Sequence, residues 1–274
     1  PLTNIFSKQF LPIYDKPMIY YPLATLMEAK IRDILIISTP EDTPKFQELL
    51  GDGSNLGIKL SYEIQKKPNG IAEAFIIGEN FIDNSPVSLI LGDNIFNGYD
   101  FSIITNQLKS PKAEATILGY RVSNPERFGV VDINKKGKVL GIEEKPNAPK
   151  SNFAVVGLYF YDKNVCNYAK KILPSPRGEL EITDLNKIYL QKSKLNLITL
   201  DSGFAWLDSG TPDSLIEAAQ YVKTIEDRQG KKIGCIEEIA YLNQWINKKG
   251  LRQIIKKMKN TKYKEYLQNI ISKK

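Results

Sequence analysis

Two aspartates and three basic side chains are the residues in this sequence best placed to do chemistry. Asp93 follows the apolar run Val87 to Leu91, which predicts a strand buried on both faces, as in a covered parallel sheet. A carboxylate at the C-terminal end of such a strand stands where open α/β sheets place ligand chemistry, though the same Gly92-Asp93 pair also suits a plain turn cap. Asp208, in W-L-D-S-G-T, is a second strand-end carboxylate. Lys145 sits in E-E-K-P, where tandem charges suit a solvated surface but Pro146 is expected to hold the lysine extended and fix its direction. Arg177, in a Pro/Gly-rich loop just before a helix, suits an anion, and Lys8 lies in S-K-Q-F-L-P. Gly70 ends the loop that begins at Gln65, at a loop-to-helix junction that permits close backbone approach or simply makes a turn.

The sequence holds no histidine, which excludes Ser-His-Asp and Cys-His catalysis and the usual zinc sites. Carboxylates, lysines, arginines, backbone and a hard metal ion are the tools left. The net charge of +7 would suit a nucleic-acid partner if it were spread over the fold. Residues 248–274 alone carry +9, however, so the rest of the chain is slightly acidic and neither nucleic acid nor membrane is expected as a partner. In that tail Leu251, Ile254, Ile255 and Met258 recur at helical spacing, an amphipathic helix with a solvated lysine face. Cys166 and Cys235 are far apart and outside any C-x-x-C spacing, which suits a reducing cytoplasm, and no apolar run reaches the roughly 20 residues that span a bilayer.

The elements that must position these residues alternate between strand and helix. Asp15 and Pro17 read as the cap and first turn of a helix through Met27, followed by a strand at Ile34 to Ser38. A helix begins after Thr39-Pro40 and stops at Gly51, and Ile58, Leu60, Tyr62 and Ile64 alternate as a half-buried strand. Helices are predicted over Ile71 to Phe81 and near Phe101 to Leu108, and strands over Ala115 to Val122, Phe153 to Tyr161 and Leu195 to Leu200. Lys135 to Lys138 reads as a hairpin turn, and Thr211-Pro212 opens a long helix through Ile225. The whole predicts an α/β, Rossmann-like layer sandwich with a mixed, mainly parallel central sheet over residues 1–225, and a helical C-terminal extension, 226–274, packed on the same domain. No G-x-G-x-x-G follows a strand, which argues against a dehydrogenase on a similar layered fold.

S-K-Q, Y-D-K-P-M-I-Y-Y-P, L-L-G-D-G-S, L-G-D-N, E-E-K-P, P-R-G-E-L-E-I-T-D and W-L-D-S-G-T match, in type and order, the sugar-1-phosphate nucleotidyltransferase family. The chain resembles that family over essentially its whole length, most closely its thymidylyltransferase members. The resemblance implies a reaction in which glucose 1-phosphate attacks the α-phosphorus of dTTP, giving dTDP-glucose for dTDP-rhamnose and cell-surface polysaccharide synthesis. A relative using UTP and a non-catalytic nucleotide-sugar binder are the alternatives. By the same resemblance Asp93 and Asp208 hold Mg²⁺, with Asp93 also on the nucleotide, and Lys8 is directed at phosphate oxygens. Lys145 grips the sugar phosphate with Arg177 near it, Gln65 and Gly70 read the pyrimidine, and Gly129, Glu144 and Val155 surround the glucose. The resemblance further implies a homotetramer and feedback by a dTDP-sugar. The family's pattern opens with a strand and a G-G-x-G-T-R segment, which does not occur in this sequence; the 274 residues as given are therefore expected to turn over poorly.

Overall fold

A computed structural model describes residues 6–98 and 114–272. The described chain forms two compact units. One unit runs to Tyr62 and includes Gly92–Asn97 and everything from Leu207 onward; the other holds Glu63–Leu91 and Gly98–Trp206.

The first unit opens with a 3-10 turn, Lys8–Phe10, and a short antiparallel hairpin of Pro12–Ile13 and Lys16–Pro17. Here the structure departs from the expected helix start. Asp15 caps nothing: it lies in the hairpin turn and ion-pairs with Lys16 at 2.5 Å and with Lys232. The helix begins only at Tyr20 and runs to Glu28. Lys16 is 4% exposed, and the carboxylate of Glu226, itself 6% exposed, lies 3.1 Å from its ammonium. A lysine this deep is tolerable only when paired, so Asp15 and Pro17 serve to turn the chain toward that partner rather than to start a helix.

Beyond the hairpin the expected elements occur: the strand Asp33–Ser38, the helix Thr43–Leu50 ended by Gly51, and the strand Lys59–Ile64 paired with the first. Thr211 and Ser214 form a capping box at the start of the helix Pro212–Gln229, with Pro212 in its first turn. Its inner face, Ala218 and Val222, packs with Ile13, Met18, Tyr21, Ile95 and Ile233. Three more helices follow, Ile236–Leu242, Lys248–Lys257 and Lys262–Ser272, around Cys235, Leu251, Ile255, Leu267 and Ile271. The lysine-rich helix thus buries the apolar stripe at Leu251 and Ile255 against its own unit. Among the described residues no helix is long and apolar enough to cross a membrane.

The second unit is built on the nine-residue strand Phe153–Tyr161. At one end it pairs antiparallel with Val87–Ile90, at the other with Gly129–Ile133 through Ala154 and Val130, and a register shift between Val155 and Tyr159 separates the two. Such a bulge bends the strand and lets it serve different neighbours along its length. Ala115–Arg121 lies along it antiparallel, Leu195–Thr199 joins Ala115–Arg121 in parallel, and Gly129–Ile133 forms a hairpin with Val139–Glu144. The α/β architecture, the mixed sheet and the C-terminal helices are as expected. Among the described residues of this sheet the Leu195–Thr199 pairing is parallel and the others are antiparallel. Continuous apolar runs report burial on both faces but carry no information on strand direction. The stretch Ile71 to Phe81 is also not one helix; it is the 3-10 turn Ile71–Glu73 and the short helices Ala74–Ile77 and Glu79–Ile82, interrupted at Gly78. Phe75, Ile117, Val131, Tyr161, Leu185 and Tyr189 belong to the core beneath the sheet. The helix expected near Phe101 to Leu108 falls outside the described residues.

Candidate active site

Asp93 occupies a turn between Val87–Ile90 and a new strand, Asn94–Asn97, which pairs with Ala205–Asp208. The flanking strand is half-buried rather than sealed on both faces. In the first unit three sequence-distant motifs meet at this turn. The Lys8 ammonium donates to Asp93 Oδ2, Asn94 Nδ2 donates to Asp93 Oδ1 at 2.9 Å, and the Ser209 N–H donates to the Asp93 carbonyl at 3.0 Å. A Cβ at Gly92 would lie 2.9 Å from Gln9 Cγ, so the glycine gives S-K-Q its seat against G-D-N. Asp208 immediately precedes Ser209, and its carboxylate oxygens lie 3.3 and 3.4 Å from where a Cβ of Gly210 would stand. The bond from Ser209 to the Asp93 carbonyl brings the Asp208 segment to the Asp93 turn, and the buried Ser209 hydroxyl has no partner among the described residues. The groups left to meet a ligand here, the Asp93 and Asp208 carboxylates and the Ser209 hydroxyl, are all oxygens, and the Lys8 ammonium ion-pairs with Asp93.

The second unit gathers the remaining candidates. Gly129 and Glu144 face each other across the hairpin. A Cβ on Gly129 would lie 3.3 Å from both Glu144 Oε2 and Thr183 Oγ1 and 3.9 Å from Val155 Cβ, so Gly129, Glu144 and Val155 converge on one spot. The Thr183 hydroxyl donates to Glu144 Oε2 at 2.5 Å. Arg177 lies alongside, its Nη2 3.7 Å from Glu144 Oε1 and 2.8 Å from Glu181 Oε1. Its hydrogen bonds to Glu181, aided by the charges of Glu179 and Glu144, hold the guanidinium even more firmly protonated than usual.

Lys145 follows Glu144 directly, and its backbone is not extended as the next proline implied. Its φ is +42°, in the left-handed region, and its N–H donates to the Phe128 carbonyl at 3.0 Å. That bond closes the hairpin one residue beyond the Gly129–Glu144 pair and overrides the preference that Pro146 imposes. The side chain is exposed, with no ion pair among the described residues. Gln65 Nε2 donates to the Gly70 carbonyl at 3.2 Å and to Glu73 at 2.7 Å. Gly70, at φ +104°, is pressed against the Leu180 backbone so closely that a Cβ would stand 2.5 Å from its N and O. Leu180 N–H donates to the Asn69 carbonyl at 2.6 Å and Ala72 N–H to the Leu180 carbonyl at 3.1 Å. The Gln65–Gly70 loop and the loop carrying Arg177 are therefore one stitched surface.

Residues 1–225 match the protein family described as Nucleotidyl transferase. Over its full length the chain is 53% identical to a glucose-1-phosphate thymidylyltransferase of Neisseria gonorrhoeae, covering 95% of that protein. The chain belongs to the nucleotidyl transferase family. Its relatives in that family are enzymes of the glucose-1-phosphate thymidylyltransferase kind, and a nucleotidyltransferase activity follows for this member. A crystal structure from Bacillus anthracis, provisionally named as the same enzyme and holding a sucrose, has 40% sequence identity and a TM-score of 0.75, covering 81% of this chain and 88% of that one. A UDP-glucose pyrophosphorylase with UDP-glucose bound shares the fold, with a TM-score of 0.71 over 82% of this chain and 93% of that one at 23% identity.

Sequence reasoning passed over Glu181, Thr183, Ser175 and Ser209. Glu181 and Thr183 lie inside the quoted P-R-G-E-L-E-I-T-D string, but their types suggest the start of a helix rather than contact with other candidates. In fact Glu181 occupies the N-cap of Ile182–Gln191 and makes no side-chain cap bond. Its carboxylate is spent on Arg177 and on the Ser175 hydroxyl at 2.7 Å.

Proposed function

We propose that the protein joins dTTP and glucose 1-phosphate into dTDP-glucose and pyrophosphate, for dTDP-rhamnose and cell-surface polysaccharide synthesis. The observation that carries this reading is the convergence of Gly129, Glu144, Val155 and Thr183 into a small polar spot edged by Arg177, in a chain whose relatives bear that enzyme's name. The spot offers carboxylate and hydroxyl oxygens for sugar hydroxyls and a guanidinium for the phosphate.

A phosphate monoester with a second pKa near 6 is largely dianionic at neutral pH, so it attacks without a general base, and a chain lacking histidine is not handicapped. One sugar-phosphate oxygen forms a bond to the α-phosphorus, and the bond from that phosphorus to the bridging oxygen breaks, its electron pair leaving with pyrophosphate. The cost lies in bringing anions together and stabilising charge at phosphorus. Arg177 and Lys145 neutralise the attacking phosphate, and Lys8 exchanges Asp93 for phosphate oxygens of the nucleotide. Gln65 and Gly70 orient the base, Gln65 by its amide and Gly70 by its bare backbone. Asp93 and Asp208 are the two carboxylates that would hold Mg²⁺, an ion that takes one or two carboxylates and completes its shell with water and phosphate oxygens. Bound there, it supplies charge neutralisation at the phosphate oxygens.

The test is pyrophosphate release by the full-length protein, with glucose 1-phosphate and either dTTP or UTP. Turnover is expected with dTTP at the higher kcat/KM. Preference for UTP overturns the assignment of the base, and no release with either nucleotide overturns the reaction.

A further inference from the structure

We propose that Glu181 is a positioning residue for Arg177: it grips one edge of the guanidinium so that the other edge is offered to the phosphate of the sugar substrate. The inference rests on the role given to Arg177 in the proposed function and goes beyond it by assigning a second residue and a division of labour.

Arg177 Nε donates to Glu181 Oε1 at 3.2 Å, while Nη2 donates to Oε1 at 2.8 Å and to Oε2 at 3.0 Å. A planar guanidinium has two edges that can each meet an oxyanion side-on, Nε with one terminal nitrogen and the two terminal nitrogens together. Glu181 consumes the first edge. Nη1 makes no hydrogen bond to a described residue, and Nη2 lies 3.7 Å from Glu144 Oε1 and from Glu179 Oε2, so the second edge keeps the donors of Nη1 unused. The two partners also differ in burial: the Glu181 side chain is 9% exposed and that of Arg177 43%. The carboxylate is thus the fixed member of the pair and the arginine the presenting one.

Glu181 is itself immobilised. Ser175 Oγ donates to its Oε1 at 2.7 Å, and its neighbour Leu180 is bonded through both backbone polar groups to Asn69 and Ala72. Glu181 stands at the N-cap of Ile182–Gln191 and makes no side-chain cap bond. Its charge is committed to Arg177. Without it, a long and half-exposed arginine would sample many rotamers and order only on binding, at a cost of conformational entropy.

Steady-state kinetics with glucose 1-phosphate on Glu181→Gln, Arg177→Ala and the double variant decide the matter. In the amide an NH2 group replaces one carboxylate oxygen and cannot accept from Nη2, and the negative charge is lost, so the two-oxygen grip is reduced to a neutral one-oxygen contact while side-chain volume is kept. Glu181→Gln is expected to raise KM for glucose 1-phosphate about tenfold with kcat changed far less, since a charge-assisted bidentate bond is lost. In the Arg177→Ala background the same change should add less than about twofold, because two residues acting through one contact are not additive. A raised KM in Arg177→Ala, together with a silent Glu181→Gln or with equal effects of that change in both backgrounds, overturns the positioning role alone. An unchanged KM in Arg177→Ala overturns the role of the arginine and this inference with it. Should Glu181→Gln fail to fold, Ser175→Ala removes the bond that steadies the carboxylate, together with the one its hydroxyl accepts from the Arg177 N–H at 3.2 Å. Its KM effect, about threefold for one neutral-to-charged hydrogen bond, must likewise vanish without Arg177, and an effect that persists there overturns the proposal.

Discussion

The two units hold their candidate residues in different ways. In the second, Arg177, Glu144, Glu181 and Thr183 are already bound to one another, and the spot where Gly129 and Val155 meet them is built before any substrate arrives. In the first, Lys8 and Asp93 form an ion pair with a half-exposed lysine, and the buried Ser209 hydroxyl beside Asp208 in sequence is unused among the described residues. Its dense polar network lies elsewhere, where the buried Lys16 and Glu226 pair with each other and with the less enclosed Asp15 and Lys232. A sugar has a fixed pattern of hydroxyls and rewards a rigid complement, whereas phosphate chemistry needs charges that can exchange partners. The difference teaches which side chains are present to hold shape and which to change partners.

The largest effect should come from the exchangeable pair. Asp93→Ala and Asp208→Ala, made separately in the full-length protein, are each expected to lower kcat by about a thousandfold or more, as loss of a charge-stabilising group does. Asp93 lies in a turn and Asp208 at the end of a strand, neither in a core cluster, so thermal midpoints should hardly move. Near-normal turnover in either variant would remove that carboxylate from the phosphate chemistry. The interior network should behave in the opposite way. Glu226 accepts from Lys16 at 3.1 Å, Lys232 at 2.5 Å and the Ile233 N–H at 3.0 Å, so Glu226→Gln leaves two enclosed ammonium groups short of a countercharge. A loss of about 3–5 kcal/mol is expected in urea unfolding, with kcat per folded molecule little changed. A loss under about 1 kcal/mol would show the network to be wetter than its burial implies.

The contrast between the units also explains what was legible in the sequence. Strands such as Phe153–Tyr161 and Leu195–Thr199, and the Thr211-Pro212 helix start, follow from local pattern and capping, which neighbouring residues alone determine. The meeting of Gly129, Glu144 and Val155 was reached through resemblance, because it depends on register across a hairpin and a bulged strand. Asp15 and Pro17 misled for a physical reason: a cap-like Asp and a first-turn Pro equally suit a tight hairpin, and only the distant Glu226 and Lys232 decide between them. Glu181 was passed over because a glutamate before a helix reads as ordinary, and its three bonds to an arginine four residues back follow from the curl of the loop rather than from its type.

The smallest expected effect probes Lys145, where shape and charge are combined in one residue. Its φ of +42° is unusual for a residue with a Cβ, and the left-handed conformation costs about 1–2 kcal/mol for such residues. The strain persists because the Lys145 N–H is held by Phe128 at the end of the hairpin. Lys145→Ala and Lys145→Gly both delete the ammonium, so both should raise KM for glucose 1-phosphate equally and disturb dTTP binding less, as calorimetry with each ligand would reveal. Only the glycine relieves the strain. Allowing for its greater freedom in the unfolded chain, Lys145→Gly should be more stable than Lys145→Ala by about 0.5–1 kcal/mol. Equal stability of the two variants would mean that the turn costs nothing and that Lys145 is there for its charge alone. A more stable glycine variant with poorer sugar-phosphate binding would mean that the protein keeps a strained lysine at this turn because the phosphate requires one.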